Sequence, residues 1–115
     1  MAHLPTNENT LVEPENGPGV YYRQRIAEGT ENLGTAMKTF AKITIPAGSA
    51  MGYHQHTGDS EIYYIVEGQG TYNDNGTEYP VAAGDVVRCA DGESHAITNT
   101  GEGDLAFIAL IIATA

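Results

Sequence analysis

The sequence predicts an all-β protein, built as an antiparallel sandwich or barrel. Apolar and β-branched residues occur in short blocks at intervals of about ten residues, and Gly-containing turns separate them. No stretch keeps a helical period, which is the pattern of sandwiches and barrels. With 115 residues and 12.2 kDa, the chain has room for one domain. We divide it into an N-terminal arm, residues 1–20, and a single barrel domain, residues 21–115.

The arm is predicted from its turn-forming composition. It contains Pro5, Pro14 and Pro18 among polar residues, and Val20-Tyr21-Tyr22 is the first sign of a packed segment. The following segment, residues 23–35, is weakly patterned. An edge strand, a turn of helix and a loop all remain open for it.

From Met37 onward, alternating apolar residues bounded by turn residues indicate at least seven strands. The predicted strands are 37–45, 62–66, 70–72, 77–82, 86–89, 95–99 and 105–113. The dipeptide Asn75-Gly76 is the strongest short hairpin signal, because both residues tolerate the left-handed backbone that a tight two-residue turn requires. It predicts that 70–72 and 77–82 pair.

The last predicted strand, residues 105–113, is apolar at every position and therefore is not expected to have one face in water. A second sheet covers one face. The simplest cover for the other face is a second subunit, so we expect a homodimer. The alternative is that the N-terminal arm folds over this face.

Charge and composition exclude several partners. Fifteen acidic residues against five Lys and Arg give a net charge of -10, which repels nucleic acid and anionic lipid. No apolar run approaches the roughly 18 residues of a membrane span, and residues 1–10 lack the pattern of a signal peptide. The single cysteine, Cys89, fits a reducing compartment. We expect a cytoplasmic protein with no nucleic-acid or membrane partner.

Three histidines and one glutamate form a candidate metal site. His54 and His56 are one residue apart, which on a strand places both side chains on one face, about 7 Å apart along the chain. Glu61 and His95 each open a predicted strand, and a carboxylate at the head of a buried strand is costly unless it is paired. Each histidine alone is more often an ordinary surface or core residue. Together these four offer the nitrogen and oxygen ligands of a divalent first-row metal.

The same residues belong to a longer pattern that resembles the two motifs of the cupin superfamily. The first motif is matched at every fixed position, and the second has Ala90 where proline is usual, a change in a turn and not in a ligand. A spacer of fifteen residues, 69–83, separates the motifs, and the whole pattern covers 52 residues. The matched positions are Gly48, His54, His56, Glu61 and Gly68 in the first motif, and Gly84, Gly92, His95 and Asn99 in the second.

The resemblance implies an antiparallel double-stranded β-helix, the jelly-roll barrel of cupins. It also implies one divalent transition metal per chain, bound inside the mouth of the barrel by His54, His56, Glu61 and His95. In cupins the metal is commonly six-coordinate, which leaves positions for water, dioxygen or a bidentate small molecule. Manganese, iron, zinc and nickel all remain open as the native metal.

Neighbouring residues suggest further roles. Tyr63 shares strand parity with Glu61 and is our candidate catalytic residue, whose hydroxyl would donate to a bound anion or act as a weak acid. Ordinary barrel packing is the alternative. Asn99 is expected to satisfy backbone groups, and Tyr53, of opposite parity to His54, is expected to lie outside.

Arg88 is our candidate substrate-binding residue, because it is the cation nearest in sequence to a predicted ligand. Its direction is open, since Gly92 interrupts the parity count to His95. If Arg88 faces outward, then Cys89 faces inward. There the thiol would be either a small core residue or an oxidisable neighbour of the cavity.

The function expected from these residues is that of a metalloenzyme acting on a small oxygenated metabolite. Decarboxylation or oxidation of an oxalate-like acid, dioxygenation and sugar isomerisation are all reactions that cupins perform, and the resemblance implies one of this kind without singling one out. The alternative is a non-catalytic module that captures or senses a small ligand through the metal. A purely structural or storage barrel fits poorly, because relatives of that kind tend to lose the metal ligands.

Overall fold

The computed structural model describes residues 3–13, 18–27 and 34–114, and within these ranges the chain forms ten strands and no helix. Accordingly, no helix in the described ranges is of a length and apolarity that would cross a membrane. The strands are β1 (Asn9–Val12), β2 (Tyr21–Ala27), β3 (Met37–Ile45), β4 (Ala50–Gln55), β5 (Asp59–Glu67), β6 (Gln69–Asp74), β7 (Thr77–Ala82), β8 (Val86–Cys89), β9 (Ser94–Asn99) and β10 (Leu105–Ala113).

The strands form two antiparallel sheets. The larger has the order β1-β2-β3-β10-β5-β8, and the smaller has the order β4-β9-β6-β7. From β3 onward successive strands alternate between the sheets, except for β6 and β7, which pair within the smaller one. Each motif of the sequence therefore contributes to both sheets. This topology confirms the predicted antiparallel all-β architecture.

The core lies between the two sheets. The larger sheet contributes alternate residues of β3, β5 and β10, and the smaller contributes Tyr72, Val81 and Ile97. The alternation is clear on β5, where Tyr63 and Ile65 are buried while their neighbours face outward. Period-two burial of this kind makes each strand half-buried, as the sequence pattern predicts.

Several predicted elements are confirmed with their bounds. Strands 37–45, 77–82, 86–89 and 105–113 are found as β3, β7, β8 and β10. The predicted hairpin joins β6 to β7, and both Asn75 (φ 53°) and Gly76 (φ 98°) adopt the left-handed conformation. A two-residue turn with two positive φ angles matches the twist of the strands it connects.

The larger sheet settles the secondary structure of part of the segment 23–35, which the sequence leaves open. Residues 21–27 form β2, which pairs with β1 on one side and β3 on the other. It is therefore an interior strand, and β1 is the edge. Residues 28–33 of the undecided segment, and residues 1, 2 and 14–17 of the proposed arm, lie outside the described residues. The boundary between arm and barrel stays a prediction.

Strand β10 occupies the middle of the larger sheet, between β3 and β5. Its inward residues Leu105, Phe107 and Ala109 are buried in the core. On its outer side, Ile108 and Leu110 are half-buried and Ile112 is 38% exposed. Strand β1 extends the sheet at its edge, so it lies in the plane of the sheet. The homodimer remains a prediction.

Candidate metal centre

Both sheets contribute to the cluster of candidate ligands. His54 lies on β4 and His56 directly follows that strand, while His95 lies on β9, opposite His54 in the register. Glu61 comes from β5 of the larger sheet. The cluster therefore sits at one end of the space between the sheets, and His56, Glu61 and His95 are buried there.

A β-bulge on β4 turns His54 toward this space. In the ladder with β9, Met51 opposes Ile97 and His54 opposes His95, so β4 uses three steps where β9 uses two. The extra residue reverses the facing of all that follows it. Met51 packs against the core, and His54 faces inward as well, whereas Tyr53 is 46% exposed.

The ligand atoms are close together. His95 Nε2 lies 3.1 Å from the Nε2 atoms of both His54 and His56, and Glu61 Oε1 lies 3.1 Å from those of His56 and His95. All four ligand atoms lie within 4.8 Å of one another. Around a six-coordinate ion with bonds of about 2.1 Å, adjacent ligands are about 3.0 Å apart and opposite ligands about 4.2 Å. The observed spacing fits such an ion.

The outer nitrogen of each histidine has its own partner. The Nδ1 of His54 donates to the carbonyl of Gly52 at 2.7 Å, and that of His56 donates to Asp59 Oδ1 at 2.7 Å. The Nδ1 of His95 lies 2.8 Å from the hydroxyl of Tyr72. A carbonyl and a carboxylate can only accept, so in neutral His54 and His56 the proton lies on Nδ1. Their Nε2 lone pairs then face the centre of the cluster.

The electrostatics of the cluster are compatible with a bound cation. The hydrogen bond to Glu61, against the effect of burial and with help from Asp59, raises the pKa of His56. Burial raises the pKa of Glu61, but hydrogen bonds and charge from His56 and His95 outweigh it, so the net shift is downward. Burial lowers the pKa of His95. Acceptors this close need a proton or a metal ion between them, and three imidazoles with one carboxylate suit a divalent transition metal.

Tyr63 lies beside the cluster, as its parity predicts. It is 1% exposed, and its ring stacks on His95 at 5.0 Å and packs on Phe107 at 4.2 Å. Its hydroxyl lies 3.4 Å from His95 Nε2. Burial and the charge of Glu61 raise the pKa of Tyr63 well above its ordinary value. The hydroxyl is therefore a proton-bearing group next to the ligand atoms.

Two residues at the site are absent from the candidates that the sequence suggests. Asp59, assigned from sequence to a polar turn, is the first residue of β5 and is 8% exposed. Tyr72 on β6 is fully buried against His95. The available signal for Asp59 was its parity, since it lies two residues before Glu61 and thus on the same face. Tyr72 carries no comparable signal, because its contact with His95 arises from pairing of β6 with β9.

The remaining candidate residues differ in whether their side chains face the core or the solvent. Arg88 is exposed on the outer face of β8, while Cys89 is 2% exposed and points inward. The alternation of β8 therefore directs the Arg88 side chain away from the cluster. Burial raises the pKa of the Cys89 thiol to about 11, which makes it a neutral core residue. Asn99 donates to the carbonyls of Ile45 and Gly103, as expected of a structural residue.

The sequence of this chain matches a known family model and two related proteins. A family model described as "Cupin domain" matches residues 41–111. An "Oxalate-binding protein" from Thermotoga maritima is 48% identical over 82 residues, which cover 71% of this chain and 68% of that protein. An uncharacterized protein from Methanocaldococcus jannaschii is 33% identical over 64 residues, covering 56% of this chain and 51% of the other.

Solved structures show the same architecture. A crystal structure from Thermotoga maritima, described as a "predicted oxalate decarboxylase", superposes with a TM-score of 0.86 and 37% identity and covers 93% of both chains. A "Cupin 2 conserved barrel domain protein" from Salinispora arenicola superposes with a TM-score of 0.70 over 82% of this chain and 76% of its own. At 21% identity the latter similarity concerns the fold alone.

Proposed function

The chain belongs to the cupin family, and on this basis we propose that it binds one divalent transition metal and, through the metal, a small dicarboxylate of the oxalate class. The metal ligands are His54, His56, Glu61 and His95. The observation that carries the proposal is the convergence of their four acceptor atoms within 4.8 Å. Manganese, iron, zinc and nickel remain candidates, because the ligand set suits each of them.

Charge supports a carboxylate as the ligand. The whole chain has a net charge of -10, which by itself repels anions. Glu61 is the single acid in the ligand set, so a divalent ion would leave the cluster with a net positive charge. The metal would supply Lewis-acid binding of a carboxylate. The names of the two matches from Thermotoga maritima, an oxalate-binding protein and a predicted oxalate decarboxylase, point to the same class of ligand.

Catalysis on that ligand is the second candidate function, and Tyr63 is the observation that favours it. Decarboxylation of an oxalate-like acid must deliver a proton to the carbon that loses carbon dioxide. Tyr63 has a buried hydroxyl 3.4 Å from a ligand atom, and its raised pKa keeps it protonated at neutral pH. A positioned acid of this kind contributes roughly 10²–10⁴-fold to a rate.

Cellular location and oligomeric state are also inferred. We place the protein in the cytoplasm, on the basis of its single buried cysteine, and propose that it works as a homodimer joined through the outer face of the larger sheet.

The decisive experiment measures metal and ligand on the same sample. Protein purified without chelator or metal resin is analysed for its metal content and then titrated with oxalate by calorimetry, before and after metal removal. We expect about one metal per chain and oxalate binding only by the metal-loaded form. Carbon dioxide, formate and hydrogen peroxide are assayed in parallel, because product formation separates an enzyme from a binder.

Matched substitutions assign the site. Glu61→Gln keeps the size of a ligand while removing its charge, and should reduce metal content well below one per chain. His3→Ala is the control, because His3 is exposed and is the one histidine of the sequence outside the cluster. Full metal content in the Glu61 variant, or oxalate binding that persists without metal, would contradict the proposal.

A further inference from the structure

We propose that Asp59 is a positioning residue that fixes the ring of His56 for metal binding, and that Lys38 holds Asp59 in this role. The inference rests on the proposed metal site and deepens it. It concerns two residues outside the ligand set: Lys38 precedes both sequence motifs, and Asp59 lies within the first motif but at none of its fixed positions.

The two carboxylate oxygens of Asp59 accept hydrogen bonds from different partners, one at the candidate metal site and one at the surface. Oδ1 accepts a hydrogen bond from Nδ1 of His56 at 2.7 Å, and Oδ2 accepts one from Nζ of Lys38 at 2.6 Å. Lys38 lies on β3 and Asp59 on β5, with β10 between them in the sheet. The Asp59 side chain is 11% exposed and that of Lys38 is 48% exposed. A chain of contacts thus runs from a surface cation to a candidate ligand.

The outer nitrogen of His56 differs from those of His54 and His95 because its partner is a carboxylate. His54 is held by a carbonyl two residues earlier on its own strand, and His95 by a phenol in the core. His56 lies just past the end of β4, and its outer nitrogen meets Asp59. A carboxylate accepts but does not donate, so it retains the imidazole proton on Nδ1 and leaves Nε2 free to ligate.

Asp59 is not needed to hold the loop itself. The backbone amide of His56 donates to the carbonyl of Glu93 at 2.9 Å, and the carbonyl of His56 accepts from Gly92 at 2.7 Å. Asp91 holds the next part of the loop, accepting from the amide of Gly58 at 2.8 Å. The backbone is therefore fastened independently of Asp59. What Asp59 adds is the orientation and tautomer of the ring.

Burial of Asp59 supports a specific role. A buried carboxylate is costly unless it is paired and hydrogen-bonded. Here Lys38 and His56 contact the carboxylate at 2.6 and 2.7 Å and so compensate for its burial. If an inert contact between β3 and β5 were all that the fold required, an apolar side chain would supply it without that cost.

The test compares Asp59→Asn with the matched control Asp91→Asn. Both variants remove one carboxylate from the same end of the barrel, but Asp91 contacts the loop and Thr114 in place of a histidine. The dissociation constant for Zn²⁺ and for Mn²⁺ is measured by calorimetry. We expect binding about 10–100-fold weaker in Asp59→Asn, the usual effect of losing an outer partner of a metal-binding histidine, and an unchanged constant in Asp91→Asn.

A second readout needs no metal. Long-range proton–nitrogen NMR of the metal-free protein at alkaline pH, where the imidazoles are neutral, reports which nitrogen of His56 carries the proton. We expect the Nδ1 form in the wild type and a mixture of forms in Asp59→Asn. If the wild type binds no metal, the proposed function fails, but this spectrum still decides the role of Asp59.

The roles of Asp59 and Lys38 are tested by different results of these measurements. A folded Asp59→Asn protein with wild-type metal affinity and an unchanged tautomer overturns the inference. If that variant does not fold, the spectrum of the wild type decides, because a proton on Nε2 of His56 would overturn the role of Asp59. Wild-type values in Lys38→Met would then overturn the part assigned to Lys38. A loss of affinity in Asp59→Asn without any change in Lys38→Met overturns the part assigned to Lys38.

Discussion

His56 and His95 differ in their surroundings, and this gives them different affinities for protons. His56 contacts two acids, Glu61 and Asp59, whereas His95 contacts Glu61 and is buried beside Tyr63 and Tyr72. The pKa of His56 is raised and that of His95 is lowered. Because only unprotonated nitrogen binds metal, we expect protons to compete with a metal at His56 before they compete at His95.

Metal affinity should therefore fall on acidification. A ligand whose pKa is raised above 6.5 begins to take up a proton at a higher pH than an ordinary histidine. We expect the apparent affinity to be constant at alkaline pH and to fall about tenfold per pH unit once His56 protonates. Calorimetry over a pH series measures this, and a flat profile from alkaline to acidic pH would show that His56 is not a ligand.

Removing the hydroxyl of Tyr63 should separate binding from chemistry. Tyr63→Phe retains the stacking on His95 and the packing on Phe107, so metal affinity should change less than about twofold. Any product formation from oxalate should slow by about 100-fold, since the nearest proton donor is lost. Steady-state rates and metal titration of the same preparation measure both. An unchanged rate would leave Tyr63 as a packing residue.

At the scale of elements, turns and bulges decide which side chains reach the site. The bulge between Met51 and His54 brings His54 to the same side as Met51, which unbroken alternation does not allow. The turn at Gly68 joins β5 of the larger sheet to β6 of the smaller one. Gly68 has φ +80°, and a Cβ there would meet the carbonyl of Asp104. The glycine is thus required by both conformation and space.

Gly68→Ala should destabilise the protein more than Gly84→Ala. Gly84 also has a positive φ, of +97°, but a Cβ there would meet nothing within 4 Å. We expect Gly84→Ala to lower the free energy of unfolding by about 1–2 kcal/mol through backbone strain alone. Gly68→Ala should cost more, because it adds a clash with backbone. Urea denaturation measures both, and equal losses would show that crowding at Gly68 is relieved without cost.

At the scale of the molecule, the four candidate ligands come from both sheets, so a metal bound by them would tie the sheets together. An ion that binds the folded state alone stabilises it by about 2.7 kcal/mol when its free concentration is 100 times the dissociation constant. We expect the melting temperature to rise on metal addition and to return to the metal-free value with chelator. Differential scanning calorimetry measures this. His3→Ala should respond like the wild type, and an absent response in the wild type would contradict the site.

The outer face of the larger sheet carries an apolar patch, which Lys42 on β3 and Arg88 on β8 flank. Tyr64 is 48% exposed and lies between Ile108 on β10 and Val86 on β8, which is 62% exposed. Ile62 lies beside Leu110 in the next row. Exposed apolar surfaces of this kind commonly mark protein interfaces.

A dimer through this face should have about twice the monomer mass of 12.2 kDa by light scattering. Val86→Glu should convert it to a monomer, because a charge buried in an apolar interface is costly. Thr77→Glu, at an exposed position of the hairpin in the smaller sheet, is the control and should leave the mass unchanged. A wild-type protein of 12.2 kDa at micromolar concentration would refute the dimer.

The sequence by itself determined the fold class, the bounds of four strands and the four clustered residues. Period-two alternation is a local property of a half-buried strand, and Asn75-Gly76 encodes its turn within two residues. These two features are predictable because each is set by residues close together in sequence. His54, His56, Glu61 and His95 could be grouped because they occupy fixed positions of two motifs, although His95 is distant from the other three in sequence.

Only the tertiary structure decided the roles that depend on pairing between distant strands. The bulge that turns His54 inward exists only in the ladder with β9, and Tyr72 meets His95 only because β6 pairs with β9. The burial of Asp59 is compensated because Lys38 from β3 and His56 both donate hydrogen bonds to it. Arg88 faces outward because β8 pairs with β5 in one register. Such contacts follow from the packing of strands, which no local pattern specifies.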